Sequence, residues 1–100
     1  MQKLTTPNEF RNLLSATPAA AALGTAIETG LLWMLAEQPL SAREIVARLG
    51  IPGKRGYYWL QYLESFGVLE GNAAGYSPSS AVRQAFLETY SQETWQHLVM

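Results

Sequence analysis

The chain has 100 residues, which is enough for one compact domain but not for two. Hydrophobic residues make up 48% of it and charged residues only 15%, so a disordered chain is excluded and an apolar partner surface is expected. The net charge of -1 provides no global attraction to nucleic acid or anionic lipid, and the lack of cysteine excludes a disulfide framework and a Cys-based zinc site.

The N-terminus does not have the pattern of a secretory signal, because residues 1–6 lack an apolar segment followed by a small-residue cleavage site. The longest apolar stretch, residues 18–36, carries Glu28 in its middle. Inserting a carboxylate at the centre of a membrane costs roughly 2.5–3.5 kcal/mol or more. We therefore expect a cytoplasmic protein that does not span a membrane.

Two helix starts occur near the beginning of the chain. Residues 6–9 (TPNE) predict a short helix to about residue 15, because a capping hydroxyl, a proline and a carboxylate satisfy the free N–H groups of a first turn. Residues 17–18 (TP) repeat this pattern before an apolar stripe at helical spacing, and Gly30 is typical of its C-cap. Residues 31–36 continue as one or two further apolar turns, which end before Pro39.

The middle of the chain predicts a helix–turn–helix. Residues 41–44 (SARE) are typical of a capping box, and Gly50 closes the short apolar helix that follows. Residues 51–53 (IPG) predict a turn, and residues 54–66 repeat apolar side chains at helical spacing. A short helix, a tight turn and a longer helix make up this motif.

A β-hairpin and two further helix starts follow. Residues 68–70 predict a strand, residues 71–75 (GNAAG) a loop, and Tyr76 the start of the returning strand, so that the hairpin forms a wing. Residues 77–78 (SP) predict the cap and first turn of another helix. Residues 91–100 resemble the opening of one more helix without a closing signal, which predicts that the chain continues in a larger protein.

Four segments of the chain carry a family resemblance: ALGTAIETGLL (22–32), PLSAREIVARLG (39–50), YYWLQYLESFGVL (57–69) and GYSP (75–78). In this order they resemble the N-terminal dimerisation domain of S-adenosylmethionine-dependent O-methyltransferases. The resemblance covers about three-quarters of the chain. It implies a mainly α fold, in which a winged helix–turn–helix with a small β-hairpin wing is preceded by extra N-terminal dimerisation helices.

The resemblance also implies a division of the chain into three parts. Residues 1–36 would be the dimerisation helices, residues 37–90 the winged-helix core, and residues 91–100 the start of a linker helix to a catalytic domain that this chain lacks. The chain would then have no catalytic, cofactor-binding or metal-binding residue of its own. S-adenosylmethionine would bind in the missing domain, and a small molecule would accept the methyl group.

A homodimer is the partner that the resemblance implies, with the N-terminal helices interlocked between two subunits and helping to wall the substrate pocket. The apolar excess and the small residues at 19–22, 24 and 26 agree with close helix packing across such an interface. The candidate interface residues are Phe10, Leu13, Leu14, Leu23, Ile27 and Trp33. Periodicity does not decide which of them contact a partner and which fill the subunit's own core.

The alternative function is a DNA-binding transcriptional regulator, because a helix–turn–helix can place its second helix in a major groove and its wing against the backbone. Lys54 and Arg55, at the start of that helix, are the candidate contacts. The predicted wing at residues 71–75 contains no Lys or Arg, so the phosphate contacts that dominate affinity would be few. Nucleic acid is therefore not the partner that we expect.

Four other features are interpreted as structural. His97 is the only imidazole and the chain contains no Asp, so no Ser–His–Asp triad is possible. Residues 71–75 lack the third glycine of a dinucleotide-binding loop and do not link a strand to a helix. Glu28 is interpreted as facing solvent. The aromatic residues at 57–62 are interpreted as core plus partner contacts rather than as a platform for stacked bases.

Overall fold

The computed structural model describes Thr6 and residues 18–99 of the chain. Most of these residues are helical, and among them one two-stranded antiparallel sheet follows the fourth helix. In chain order the elements are α1 (Pro18–Glu28), α2 (Leu31–Glu37), α3 (Ala42–Leu49), α4 (Gly53–Ser65), β1 (Leu69–Asn72), β2 (Gly75–Pro78), α5 (Ser80–Val82, continued by a π-helical turn over Arg83–Leu87) and α6 (Gln92–Val99). The helix predicted to end near residue 15 lies outside the described residues.

Gly30 separates the first two helices. It adopts the left-handed conformation, with φ 79° and ψ 13°, and its N–H donates to the Ile27 carbonyl oxygen at 3.1 Å. The predicted C-cap is confirmed, since glycine adopts this conformation without the steric cost of a Cβ atom. Among the described helices, none alone is long and apolar enough to cross a membrane, whereas α1 and α2 together, bent by 58° at their junction, meet that criterion of length and composition.

Helices α3 and α4 form the predicted helix pair. Ser41 Oγ accepts the Glu44 N–H at 3.2 Å, and Glu44 Oε1 accepts the Ser41 N–H at 3.1 Å, which confirms the capping box. Gly50 ends α3 with φ 66°, as predicted. Where the two helices meet, a Cβ atom on Gly56 would lie 2.3 Å from Val46 Cγ1, so that glycine is needed for their close approach.

The hairpin is tighter than the sequence predicts. Its paired residues are Leu69 with Pro78, Glu70 with Ser77, Gly71 with Tyr76, and Asn72 with Gly75. The predicted loop over residues 71–75 is wrong, because the turn contains only Ala73 and Ala74. Asn72 Oδ1 accepts the Ala74 N–H at 2.8 Å, and this side-chain bond closes the short turn.

Strand β2 also joins the hairpin to the start of the helix pair. The Tyr76 N–H donates to the Leu40 carbonyl oxygen at 2.8 Å, and the Leu40 N–H donates to the Tyr76 carbonyl oxygen at 3.3 Å. Leu40 lies two residues before α3, so this bridge attaches the hairpin to the segment that leads into the helix pair. The mainly helical fold with a small antiparallel sheet is confirmed, and it is compatible with a helix–turn–helix followed by a hairpin.

The start of α5 is also shifted from its prediction. Residues 77–78 were expected to cap the helix, but they pair in β2 and Ser79 is the N-cap. Ser79 Oγ accepts the Val82 N–H at 3.2 Å, while the Ser79 N–H donates to the Val68 carbonyl oxygen at 3.0 Å. Both polar groups of this buried residue are therefore satisfied, which explains why the cap lies one residue beyond the proline.

A continuous apolar core joins α1 to α6, where Trp95 is only 5% exposed. Gln96 Nε2 donates to carbonyl oxygens at the end of α1, at 3.3 Å from Ile27 and 3.1 Å from Glu28. The bond to Glu28 satisfies an acceptor at the helix C-terminus, and the Ile27 oxygen accepts from Gln96 in addition to the Gly30 N–H. Residues 91–100 were predicted to begin a linker helix, and α6 packs against α1 as part of the same core.

Candidate functional site

The outward-facing side of α4 combines cations with aromatic rings. Lys54 and Arg55 are exposed in its first turn, and Tyr57 and Tyr58 are 40% and 63% exposed one turn later. Gln61 continues this face toward the C-terminal end of the helix. Residues three and four apart on a helix lie side by side, so these side chains share one surface.

The other aromatic residues of α4 pack inward. Trp59 is half-buried, and its Nε1–H donates to the Ala22 carbonyl oxygen of α1 at 3.0 Å. Tyr62 packs edge-on against Phe66, with ring centroids 5.1 Å apart. The aromatic cluster therefore divides between the core and an exposed face; its contribution to the core is confirmed, and its contact with a partner stays a prediction.

Helix α3 adds two exposed cations, Arg43 and Arg48. The pKa of the Glu44 carboxyl group lies below its usual value, mainly because the Ser41 backbone N–H donates to it, with smaller contributions from the Ser41 side chain and from Arg48. Within the part of the chain that the structure describes, Lys54 and Arg55 form no ion pair. The helix pair thus carries four exposed cations together with the exposed Glu44, whereas the hairpin turn carries no charge.

The candidate interface residues of α1 lie inside the chain. Leu23 and Ile27 are both 0% exposed, and Trp33 in α2 is half-buried against the core. Leu23 and Ile27 are therefore core residues of the single chain, and a partner cannot reach their side chains without displacing neighbouring ones. A role in dimerisation stays a prediction for Trp33. The other three candidates, Phe10, Leu13 and Leu14, lie outside the described residues.

The exposed side of α1 includes some of the small residues that the sequence pattern linked to close helix packing. Ala21 and Thr25 are exposed, and Gly24 beside them is half-exposed. A Cβ atom on Gly24 would meet nothing within 4 Å, so close packing inside the chain does not require glycine there. We call this surface, formed by Ala21, Gly24 and Thr25, the small-residue face of α1.

An open groove of about 500 Å³ lies between the hairpin, the start of α3 and the last turn of α4. It is lined by Ser41, Ala42, Glu64, Gly71, Asn72, Ala73, Ala74, Gly75 and Tyr76. Glu64 is the acidic residue of this lining, and no Lys or Arg contributes to it. Nothing in the local sequence pattern distinguishes Glu64, so its placement beside the hairpin was not predicted.

Gly71 allows the Glu64 carboxylate to lie against the hairpin. A Cβ atom at position 71 would lie 2.8 Å from Glu64 Oε2 and 3.6 Å from Tyr76 Cε1. Burial raises the pKa of the Tyr76 phenol above its usual value, and the Glu64 carboxylate raises it further. The pairing of Gly71 with Tyr76 could have located this cluster, but only once the hairpin register was known.

The remaining candidates for chemistry are dispersed. His97 is exposed on α6, and Glu28 is exposed at the end of α1, as expected for a residue that faces solvent. No group of three or more His, Cys, Asp or Glu residues able to hold a metal ion occurs among the described residues.

No protein-family model matches the chain, and no curated protein or solved structure matches it either. Its function must therefore be inferred from the groups that the fold brings to the surface.

Proposed function

We propose that the chain is the dimerisation domain of an S-adenosylmethionine-dependent O-methyltransferase that acts on a small molecule. The observation that carries this proposal is the small-residue face of α1, exposed on a helix whose opposite side is anchored in the core by Leu23 and Ile27. Small side chains let two helix backbones approach closely, and a firmly anchored helix presents them at a fixed position. Trp33, half-buried at the start of α2, would border the contact.

The arrangement of the other elements supports the same proposal. Helices α3 and α4 with the β1–β2 hairpin have the element order of a winged helix, and the Leu40–Tyr76 bridge makes them one unit. Helices α1 and α2 pack onto this unit, with Trp59 of α4 donating to the Ala22 carbonyl oxygen. In the proposed dimer, contacts made by α1 would thus position the winged-helix unit beside the partner's substrate pocket.

In this proposal the described residues do not hold S-adenosylmethionine. Residues 71–75 consist of paired strand residues and a two-residue hairpin turn, not the strand-to-helix loop that grips the phosphates or ribose of a nucleotide-like cofactor. In this proposal the cofactor and the methyl acceptor bind to a separate catalytic domain. The role of this chain is to hold the two subunits together and to form part of the wall of the substrate pocket.

Ala21→Glu tests the proposal, because it places a charge on the small-residue face without touching the core. Sedimentation of the unmodified chain at about 100 μM should show a dimer. The substitution should weaken association at least about tenfold, since an unpaired charge in an interface costs more than about 1.4 kcal/mol. Ala47→Glu on the exposed side of α3 is the matched control and should leave the dimer intact. A chain that sediments as a monomer at that concentration contradicts the proposal.

A second candidate function, duplex DNA binding, is favoured by one observation: Arg43, Arg48, Lys54 and Arg55 are all exposed on the helix pair. Selection from random duplexes at physiological salt tests it. A DNA-binding regulator should yield a defined motif, and Arg55→Ala should weaken binding to it by about tenfold, the cost of one good base contact. Arg83→Ala, outside the helix pair, is the control. Failure to recover a motif would remove this candidate.

A further inference from the structure

The groove beside the hairpin contains a carboxylate that lacks a counter-charge. Glu64 is half-buried, and among the residues that the structure describes, its carboxylate accepts no hydrogen bond and contacts no cation. A partly exposed carboxylate without a neighbouring cation gains a modest Coulomb energy when a positively charged group binds beside it. The groove is therefore a place where a positively charged group would be stabilised.

The ends of the surrounding helices reinforce this preference. Glu64 lies in the last turn of α4, where the helix dipole is negative, and that turn contains no basic residue. The positive N-terminal end of α3 also reaches the groove through Ser41, but its capping box places the Glu44 carboxylate on that end. The end of α4 thus adds to the negative charge at Glu64, and the Glu44 carboxylate offsets the positive end of α3.

The shape of the groove favours a planar cation over a compact one. The Tyr76 ring lines the groove next to Glu64, and Gly71 leaves both side chains uncovered on that side. A guanidinium group can donate two parallel hydrogen bonds from its edge to a carboxylate while its face stacks on an aromatic ring. An ammonium group forms neither contact as well, because it is a strongly hydrated point charge.

We propose that the groove between the hairpin and the start of α3 binds a guanidinium group, with the Glu64 carboxylate as its counter-charge and the Tyr76 ring as its stacking partner. The ligand is an arginine side chain of another protein or a small guanidine compound, which share this chemistry. The proposal does not depend on dimerisation through α1, because the groove and the small-residue face share no residue.

Nuclear magnetic resonance titration of the whole chain at pH 7 tests this proposal with two probes. N-acetyl-arginine methylamide mimics an arginine within a protein, and n-propylguanidine, which carries the same single charge, mimics a small guanidine compound. We expect at least one probe to shift the backbone amide signals of Gly71, Ala73 and Ala74 along a saturable curve in the millimolar range. The tighter of the two probes indicates the source of the natural ligand. N-acetyl-lysine methylamide should bind at least about threefold more weakly than the matched arginine probe.

Glu64→Gln supplies the decisive comparison, because it removes the charge while keeping the size of the side chain. It should weaken binding of the arginine probe about fivefold, the upper range for a partly exposed ion pair. Glu70→Gln is the matched control, since Glu70 is exposed on the neighbouring position of β1 and does not line the groove. The proposal fails if neither guanidine probe gives saturable shifts, if binding survives Glu64→Gln unchanged, or if the lysine probe binds as tightly as its arginine counterpart.

Discussion

Leu23→Asp is expected to unfold the chain rather than to separate two folded subunits. Leu23 is 0% exposed and belongs to the core cluster that joins α1 to the other helices. Losing its side chain alone would cost about 2–5 kcal/mol, and a buried carboxylate without a partner adds several more. This total approaches or exceeds the stability of a domain of this size, which is about 5–15 kcal/mol.

Circular dichroism and sedimentation, measured together, decide this outcome. Leu23→Asp should lose most of its helical signal, whereas Ala21→Glu should keep it, because Ala21 is exposed on the same helix. The two substitutions therefore separate the core side of α1 from its exposed side. If the Leu23→Asp variant stays helical but becomes monomeric, Leu23 lies in the dimer interface. The core around α1 would then be assembled differently from the core in this structure.

The contrast between Leu23 and Ala21 also explains why sequence periodicity could not separate interface residues from core residues. The apolar stripe correctly identified the side of α1 that needs burial, but burial against the same chain and burial against a partner require the same side chains. Ala21 and Gly24 carry little hydrophobic signal, so that exposure distinguished them only once the structure was known. Small residues are compatible with a solvent-exposed surface and with a closely packed interface, so their presence alone does not predict which of the two they form.

Features controlled by neighbouring residues were predicted well. The capping box of Ser41 and Glu44 and the left-handed stops at Gly30 and Gly50 all appear in the structure. Each depends on hydrogen bonds between residues about one helical turn apart, so the local sequence contains all that is needed. The helix pair followed by a hairpin could be predicted for the same reason.

Features controlled by distant residues were missed. The bridge from Leu40 to Tyr76 joins segments far apart in the chain, and it requires a hairpin register that the glycines at 71 and 75 did not reveal. The Glu64 groove depends on that register, because Gly71 must face Glu64. The candidate site was therefore less predictable than the helices that support it.

Gly75 is the residue on which this long-range arrangement most depends. Its φ of 123° lies in a region that side chains disfavour, and a Cβ atom there would lie 2.5 Å from both the carbonyl carbon and the carbonyl oxygen of Leu40. Because these are backbone atoms held by the bridge to Tyr76, they cannot move aside without breaking its two hydrogen bonds.

Gly75→Ala should therefore lower the free energy of unfolding by about 2–4 kcal/mol, from backbone strain and from the clash with Leu40. Urea denaturation measures this change, and an unaltered m-value would show that the surface exposed on unfolding is the same. Gly53→Ala is the matched control: a Cβ atom at Gly53 would meet nothing within 4 Å, so the free energy should stay constant or rise by up to about 1 kcal/mol. Equal stabilities for the two variants would mean that Leu40 does not lie against β2. The groove that holds Glu64 would then lose the backbone that shapes one of its walls.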